Sequence, residues 1–276
     1  MSRTNFDQNF AKRVGRDSGS CRLSSIMKSL VIAVSFLAVS LSAQPLPCAP
    51  RWAYCGYNGP QHWASIDSRW SACDGSRQSP VELRWSEAGA GETVKLFYND
   101  ARVRVENNGY EIRATPIESA GYIEIGSDKA DLVQFHLHTP SEHGIAGEKY
   151  PAELHLVHQV RGKRELFAIG VLMTVGGGNS GLEPFLSSLP SRLCSSGGER
   201  RIPFTQIFAR TELKEYLTYP GSLTTPACDE NVTWYLPLDT DITLTEDQLK
   251  RLVAIGENAR PPQSLGTRTI KLVRNP

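Results

Sequence analysis

An excess of charge of either sign is missing from this chain. Its 276 residues hold 30 Lys and Arg against 29 Asp and Glu, a net charge of +1. No basic face for nucleic acid and no acidic tail is therefore expected, and the scattered cations are read as a solvated surface. From about Arg51 to Asn275 there is no internal repeat, no low-complexity tract and no obvious linker. That argues for one domain, near the upper end of what a single core organises. Long apolar runs are lacking too. The run Leu30–Leu41 (LVIAVSFLAVSL) falls short of the roughly 20 residues that a membrane-spanning helix needs, and no other segment approaches that length. CxxC and HExxH spacings are both absent, so the cysteines are not read as metal ligands and a zincin-type site is excluded.

What stands at the N-terminus is Met27-Lys28, then the short apolar run, then the small residues Ser42-Ala43. A basic start, an apolar stretch and a small-residue end make a secretory signal. Residues 1–43 are set aside as extension and signal. Arg3, Lys12, Arg13, Arg16 and Arg22 form either a long basic leader or an upstream extension with Met27 as the true start. No lipobox leads into Cys48, because proline precedes it. The mature chain is expected to be secreted or periplasmic, with no stable membrane span. Cleavage near Ala43 would leave Cys48, Cys55, Cys73, Cys194 and Cys228, which can pair in an oxidising compartment. The number is odd, so one is left over or joins two chains, which keeps a homodimer open.

Short β-rich runs alternate with turn signals along the rest. They are Val94–Tyr98, Val103–Glu106, Tyr122–Ile125, Leu132–His138, Glu153–Gln159, Leu166–Val175 and Val232–Leu236. Asn99-Asp100, Asn107-Asn108-Gly109, Thr139-Pro140-Ser141, Gly176–Gly178 and Pro220-Gly221 break them. One strand-dominated domain follows. Helical patterns are few: Leu182–Leu189, Thr211–Tyr216 and Thr245–Ala254, the last opening with a capping box.

Of six histidines, five fall between positions 136 and 158. Strand alternation in LVQFHLH puts Gln134, His136 and His138 on one face, and Val133, Phe135 and Leu137 on the other, into a core. In ELHLVH, Glu153, His155 and Val157 share a face. The turn-rich stretch Thr139–Pro151 can return the chain, so two antiparallel strands would aim His136, His138 and His155 at one point. Three neutral imidazoles suit Zn2+, and three ligands without a fourth leave an open, catalytic position. Gln134 and Glu153, each two residues before a ligand, can fix its tautomer. Histidines merely satisfied in a polar cleft are the competing reading.

These residues resemble the α-class carbonic anhydrases. QFHLHTPSEH (134–143) and AELHLVH (152–158) resemble that family's metal hairpin. WAYCGYNGPQHW (52–63), CDGSRQSPVEL (73–83), YPGSLTTPACDENVTW (219–234) and NARPPQSL (258–265) match further blocks in order, over about 51–273. The resemblance implies a mainly β domain: a twisted, mostly antiparallel ten-stranded sheet with short peripheral helices and zinc at the base of a conical cleft. It implies reversible hydration of CO2 to bicarbonate by zinc hydroxide, with ester hydrolysis as a side activity, and inhibition by sulfonamides and anions.

Carried over residue by residue, the resemblance makes His136, His138 and His155 the zinc ligands. Thr224 becomes the gatekeeper that donates to Glu142, with Thr225 beside it. The backbone carbonyl of Asn258 becomes the partner of His138. Val157, Ala168, Leu223, Val232 and Trp234 match the apolar wall for CO2. Tyr54, Asn107 and Asn108 match positions that order cleft water, and Cys73–Cys228 matches a disulfide of secreted members. Two departures stand out. Tyr110 occupies the place of the histidine that exports the proton in fast members, and a phenol near pKa 10 is a poor relay where an imidazole near about 6.5 serves. Arg113 replaces a neutral amide, which suggests a more anion-friendly rim. A third change, Pro226-Ala227 in place of Pro-Pro, implies the loss of a cis-proline bond. Two other classes compete with the enzyme. A silent binding protein on this scaffold would have lost a ligand histidine, and another zinc hydrolase would want a general-base carboxylate on the cleft face.

Overall fold

The computed structural model describes residues 51–85 and 88–275. The readings on residues 1–43, on Met27 and on Cys48 lie outside the described residues.

Alternation builds the strands. In Ala101–Asn107 every second side chain is buried and the Arg and Glu between them are exposed, the pattern of a strand with one wet face. Ten strands follow one another across the main sheet. In order they are Ser195–Ile202, Ala101–Asn107, Ile112–Pro116, Asp128–His138, Ala152–Val160, Leu166–Val175, Val232–Pro237, Glu215–Gly221, Lys271–Arg274 and Ala88–Gly89. Val94–Tyr98, Gly121–Ile125, Glu212–Leu213 and Thr243–Leu244 join off this path, so among the described residues the sheet has fourteen strands where the resemblance implied ten. Most pairs are antiparallel. Leu166–Val175 runs parallel to both Val232–Pro237 and Thr243–Leu244, and Lys271–Arg274 runs parallel to Ala88–Gly89.

Phe135, Leu137, Leu154, Leu156 and Ile169 pack with Phe185 and Phe204 in the larger core. Ala168, Leu217, Val232, Trp234 and Leu236 form a second cluster, and Trp52 and Trp63 a third around Cys73 and Cys228. Among the described residues no helix is long and apolar enough to cross a membrane.

Several expectations are corrected. Val133 does not enter the core: it is 38% exposed. The register slips there, with Val157 opposite Gln134 and His158 opposite Leu132, so a bulge turns Val133 outward and sends Leu132 inward. Thr211–Tyr216 is not helical. Glu212–Leu213 pairs with Val94–Tyr98, and Tyr216 lies between Pro237 and Val273. Pairing on both sides overrides the local helical preference. Leu182–Leu189 shrinks to the helix Glu183–Leu186 after a 3-10 turn, Ser180–Leu182. The expected helix Thr245–Ala254 is present as Glu246–Val253 with its capping box: Gln248 N donates to Thr245 Oγ1 at 3.1 Å and Thr245 N to Gln248 Oε1 at 3.0 Å. The Pro226–Ala227 bond is cis even without the second proline. The turn around it is held by Cys228 N donating to Thr225 O and Leu223 N donating to Asp229 O.

Candidate metal centre

Two central strands bring the histidines together. His155 lies opposite His136 and Glu153 opposite His138 in an antiparallel register, so alternation sends all three imidazoles out of one face. Their ring centroids are 4.5–5.1 Å apart, and the three rings are buried. One nitrogen from each lies within 4.8 Å of the other two.

The outer nitrogens are fixed. His136 Nδ1–H donates to Gln134 Oε1 at 2.8 Å, and His138 Nδ1–H to the carbonyl of Asn258 at 2.6 Å. His155 Nε2 lies 2.8 Å from Glu153 Oε1, although off the line of a good hydrogen bond. An acceptor on one nitrogen puts the proton there and leaves the lone pair on the other. His136 Nε2, His138 Nε2 and His155 Nδ1 therefore present three bare lone pairs to one point. His138 Nε2 is buried without any hydrogen-bond partner, and burial holds His136 and His138 below the usual imidazole range, that is, neutral. Neutral imidazoles with second nitrogens hydrogen-bonded are the donor set zinc takes, so the residues fit the metal.

Glu153 anchors the hairpin. Its Oε2 accepts the N–H groups of Glu142 and His143 at 2.9 and 2.8 Å, and His143 Nδ1 lies 2.7 Å from its Oε1. Burial raises its pKa, but His143 and His155 outweigh that and hold it well below the usual carboxylate range. His143, Glu153 and His155 also form a compact trio. Glu153 is already taken up by hydrogen bonds, so this trio is scaffolding for the ligand set rather than a second metal site.

Glu142 is buried beside the ligands. Its Oε1 accepts the N–H of Arg260 at 2.8 Å. Its Oε2 has no donor at full hydrogen-bond range, and lies 3.5 Å from His138 Nε2 and 4.0 Å from His155 Nδ1. Burial pushes this carboxyl up to about 7, against the lowering pull of His155, the Thr224 hydroxyl and the Arg260 N–H. Thr224 itself is buried and next to Glu142. Thr225 is half-buried beside it.

The apolar wall is a row across three strands. Val157 lies opposite Ala168, and Ala168 opposite Trp234, whose ring is 4.8 Å from His155. Val232 is buried in the same cluster, and Leu223 packs against it half-buried. The Trp234 indole N–H donates to Ser222 O at 3.1 Å. Cys73 and Cys228 are bonded as the resemblance implied. Cys55 and Cys194 are disulfide-bonded as well, and among the described residues no cysteine is free.

Some residues sit differently from their expected roles. Asn107 Nδ2 donates to Pro190 O and its Oδ1 accepts the N–H of Gly109, while Asn108 Oδ1 accepts from the N–H groups of Tyr110 and Glu111. Tyr54 does face the site: its buried hydroxyl has no partner, and burial, then Glu142 and Glu111, raise its pKa. Tyr110 stacks on Trp52 with centroids 4.0 Å apart, and its hydroxyl accepts the N–H of Arg51 at 2.8 Å. Arg113 is not a free cation at the rim, because its guanidinium is tied to Glu111. Sequence reasoning missed two residues. Arg260 is buried with its guanidinium on Gln78, Ser79 and Cys73, over the Trp63 ring. Glu111 is buried 3.5 Å from His136 Nε2. The available signal for Glu111 was its i, i+2 spacing to Arg113, which lies opposite His136 across the sheet.

Comparison with known proteins agrees with this geometry. The family model described as eukaryotic-type carbonic anhydrase matches residues 58–274. A carbonic anhydrase of Neisseria gonorrhoeae is 32% identical over 79% of this chain and 86% of its own. Alpha carbonic anhydrase 3 of Arabidopsis thaliana is 31% identical over 89% and 93% respectively. A solved α-carbonic anhydrase from Thermovibrio ammonificans, in complex with the inhibitor sulfanilamide, superposes with a TM-score of 0.70 at 30% identity, over 80% of this chain and 98% of that one. With a matching fold, a matching sequence over most of its length and the histidine hairpin at its centre, the chain belongs to the α-carbonic anhydrases, the enzymes that hydrate CO2.

Proposed function

We propose that His136, His138 and His155 hold zinc and that this centre interconverts CO2 and bicarbonate. The observation that carries the reading is the set of three imidazole nitrogens turned to one point, with the opposite nitrogen of His136 bonded to Gln134, that of His138 bonded to Asn258, and that of His155 2.8 Å from Glu153. Bound there, zinc supplies a Lewis acid that brings a water's pKa to about 7, a magnitude carried over from the family itself.

The chain's own residues do the rest. An ionised Glu142 can only accept hydrogen bonds. The Thr224 hydroxyl must then donate to it, which leaves the Thr224 lone pairs to accept from the attacking water and orient it. Burial, against the lowering pull of His155, the Thr224 hydroxyl and the Arg260 N–H, leaves the Glu142 carboxyl at about 7, and a divalent cation beside it favours the ionised form. Val157, Ala168, Val232 and Trp234 exclude water from the place where an apolar CO2 must wait, with Leu223 at the edge. The same activated water can attack an activated ester, which makes ester hydrolysis a side activity. The sulfanilamide bound to the Thermovibrio enzyme supports sulfonamide binding here. The Cys73–Cys228 bridge supports action in an oxidising, exported setting.

The test is zinc content and stopped-flow CO2 hydration of the purified protein, beside His138→Ala. About one zinc per chain is expected in the wild type, with zinc and activity both lost in the variant. Zinc-bearing protein that hydrates no CO2 would overturn the proposal.

A further inference from the structure

We infer that Glu111 sets the anion selectivity of the metal centre, as a fixed carboxylate beside the open position that disfavours anions there. The inference rests on the zinc reading of the three histidines.

The geometry is specific. The turn Asn107-Asn108-Gly109 fixes the backbone, with Glu111 N donating to Asn108 Oδ1 at 3.0 Å and Asn108 N to Glu111 O at 3.2 Å. The side chain is 2% exposed. Arg113 donates through both Nε, at 2.8 Å, and a terminal nitrogen, and both donors reach the same oxygen, Oε1. The other oxygen, Oε2, lies 3.5 Å from His136 Nε2. That nitrogen is the one left free for the metal, because Gln134 holds Nδ1. A metal-bound Nε2 has no proton to give. Oε2 then faces the centre as a carboxylate oxygen, while the compensating guanidinium is bonded to the other oxygen and is 41% exposed to water.

Such an oxygen welcomes a water that can donate to it and repels an anion. Neutral CO2 is indifferent to it. Bicarbonate, a sulfonamide anion or a simple inorganic anion is not. Glu111 would therefore hasten departure of the charged product and make the enzyme tolerant of anion-rich surroundings, opposite to the effect of a lone Arg113. It is not a fourth ligand. Among the described residues neither of the two compact groups that could hold a metal includes Glu111.

The probe is azide, titrated into zinc-loaded protein by calorimetry at fixed ionic strength and pH, with zinc content measured on the same samples. A unit charge about 5 Å away, at an effective dielectric between about 20 and 80, changes anion affinity by about fourfold to about three hundredfold. Glu111→Gln is expected to tighten azide by about tenfold and to keep its zinc, while Glu111→Asp, which retains the charge, stays close to the wild type. If the single variant does not fold, Glu111→Gln with Arg113→Gln removes the pair together, and a smaller tightening is expected. Equal azide affinity in zinc-bearing wild type and variant overturns the inference alone. Loss of zinc from a folded Glu111→Gln overturns it by making Glu111 a ligand. A wild-type chain without zinc overturns both this inference and the zinc reading beneath it.

Discussion

Tyr110 is held twice, by its stack on Trp52 and by the Arg51 N–H, and a side chain so fixed cannot swing between the cleft and the solvent as a proton carrier would. Proton export is expected to limit turnover in dilute buffer. Tyr110→His should raise the rate there by about tenfold, below the full range of general acid–base catalysis because the new ring must still leave the stack. Small imidazole buffers should accelerate the wild type and matter less to the variant. Stopped-flow hydration against buffer concentration reads both, and no rise from either change would sink the idea. Single residues were legible where chemistry repeats at fixed spacing. Gln134 and Glu153 could be read as partners of the ligands because each lies two residues before one on the same strand face. The Asn258 carbonyl, 120 positions from the histidine it meets, has no such signature and came only through resemblance. Glu111 was passed over because an acidic residue between a turn and a strand usually points to water, and only the cross-strand register puts it beside His136.

Strands were read well where alternation or a continuous apolar run marks them, as in Leu166–Val175, and poorly where the residues are polar. Ala101–Asn107 announces itself by alternation, whereas Ser195–Ile202 (SSGGERRI) has mostly polar and glycine residues and becomes a strand only by pairing at the sheet edge. Thr211–Tyr216 misled because its helical preference is local and its pairing partners are distant. His158 shows what the strands demand in return. Its Nδ1–H donates to Phe167 O at 3.2 Å and Tyr98 OH donates to its Nε2 at 2.9 Å, so it links three strands. Burial pushes its pKa down to about 4. The unfolded chain takes up that proton near about 6.5. Stability from a neutral His158 is thus complete above about 6.5 and is lost as pH falls towards 4, by about 3 kcal/mol in total. Between pH 7 and 5 the wild type should lose about 2 kcal/mol more than His158→Gln in urea unfolding, since glutamine does not titrate. Parallel pH curves would refute the assignment.

At the scale of the whole molecule, the Cys73–Cys228 bridge spans 155 positions and fixes the turn that carries Thr224. Chain-entropy reasoning gives about 5 kcal/mol for closing so long a loop, with measured values often lower. The double Cys→Ser variant should therefore unfold at clearly lower denaturant. It should keep its zinc and lose turnover, and a variant that loses zinc in proportion to activity would show the site to be a single unit. The reason lies in where the donors sit. His136 to His155 is one stretch of 20 residues in a central hairpin, while Thr224 arrives much later along the chain. The bridge thus braces Thr224 without touching the hairpin that carries the three histidines. A reducing environment would leave a population that is charged with metal, idle, and indistinguishable from the working enzyme by metal analysis alone.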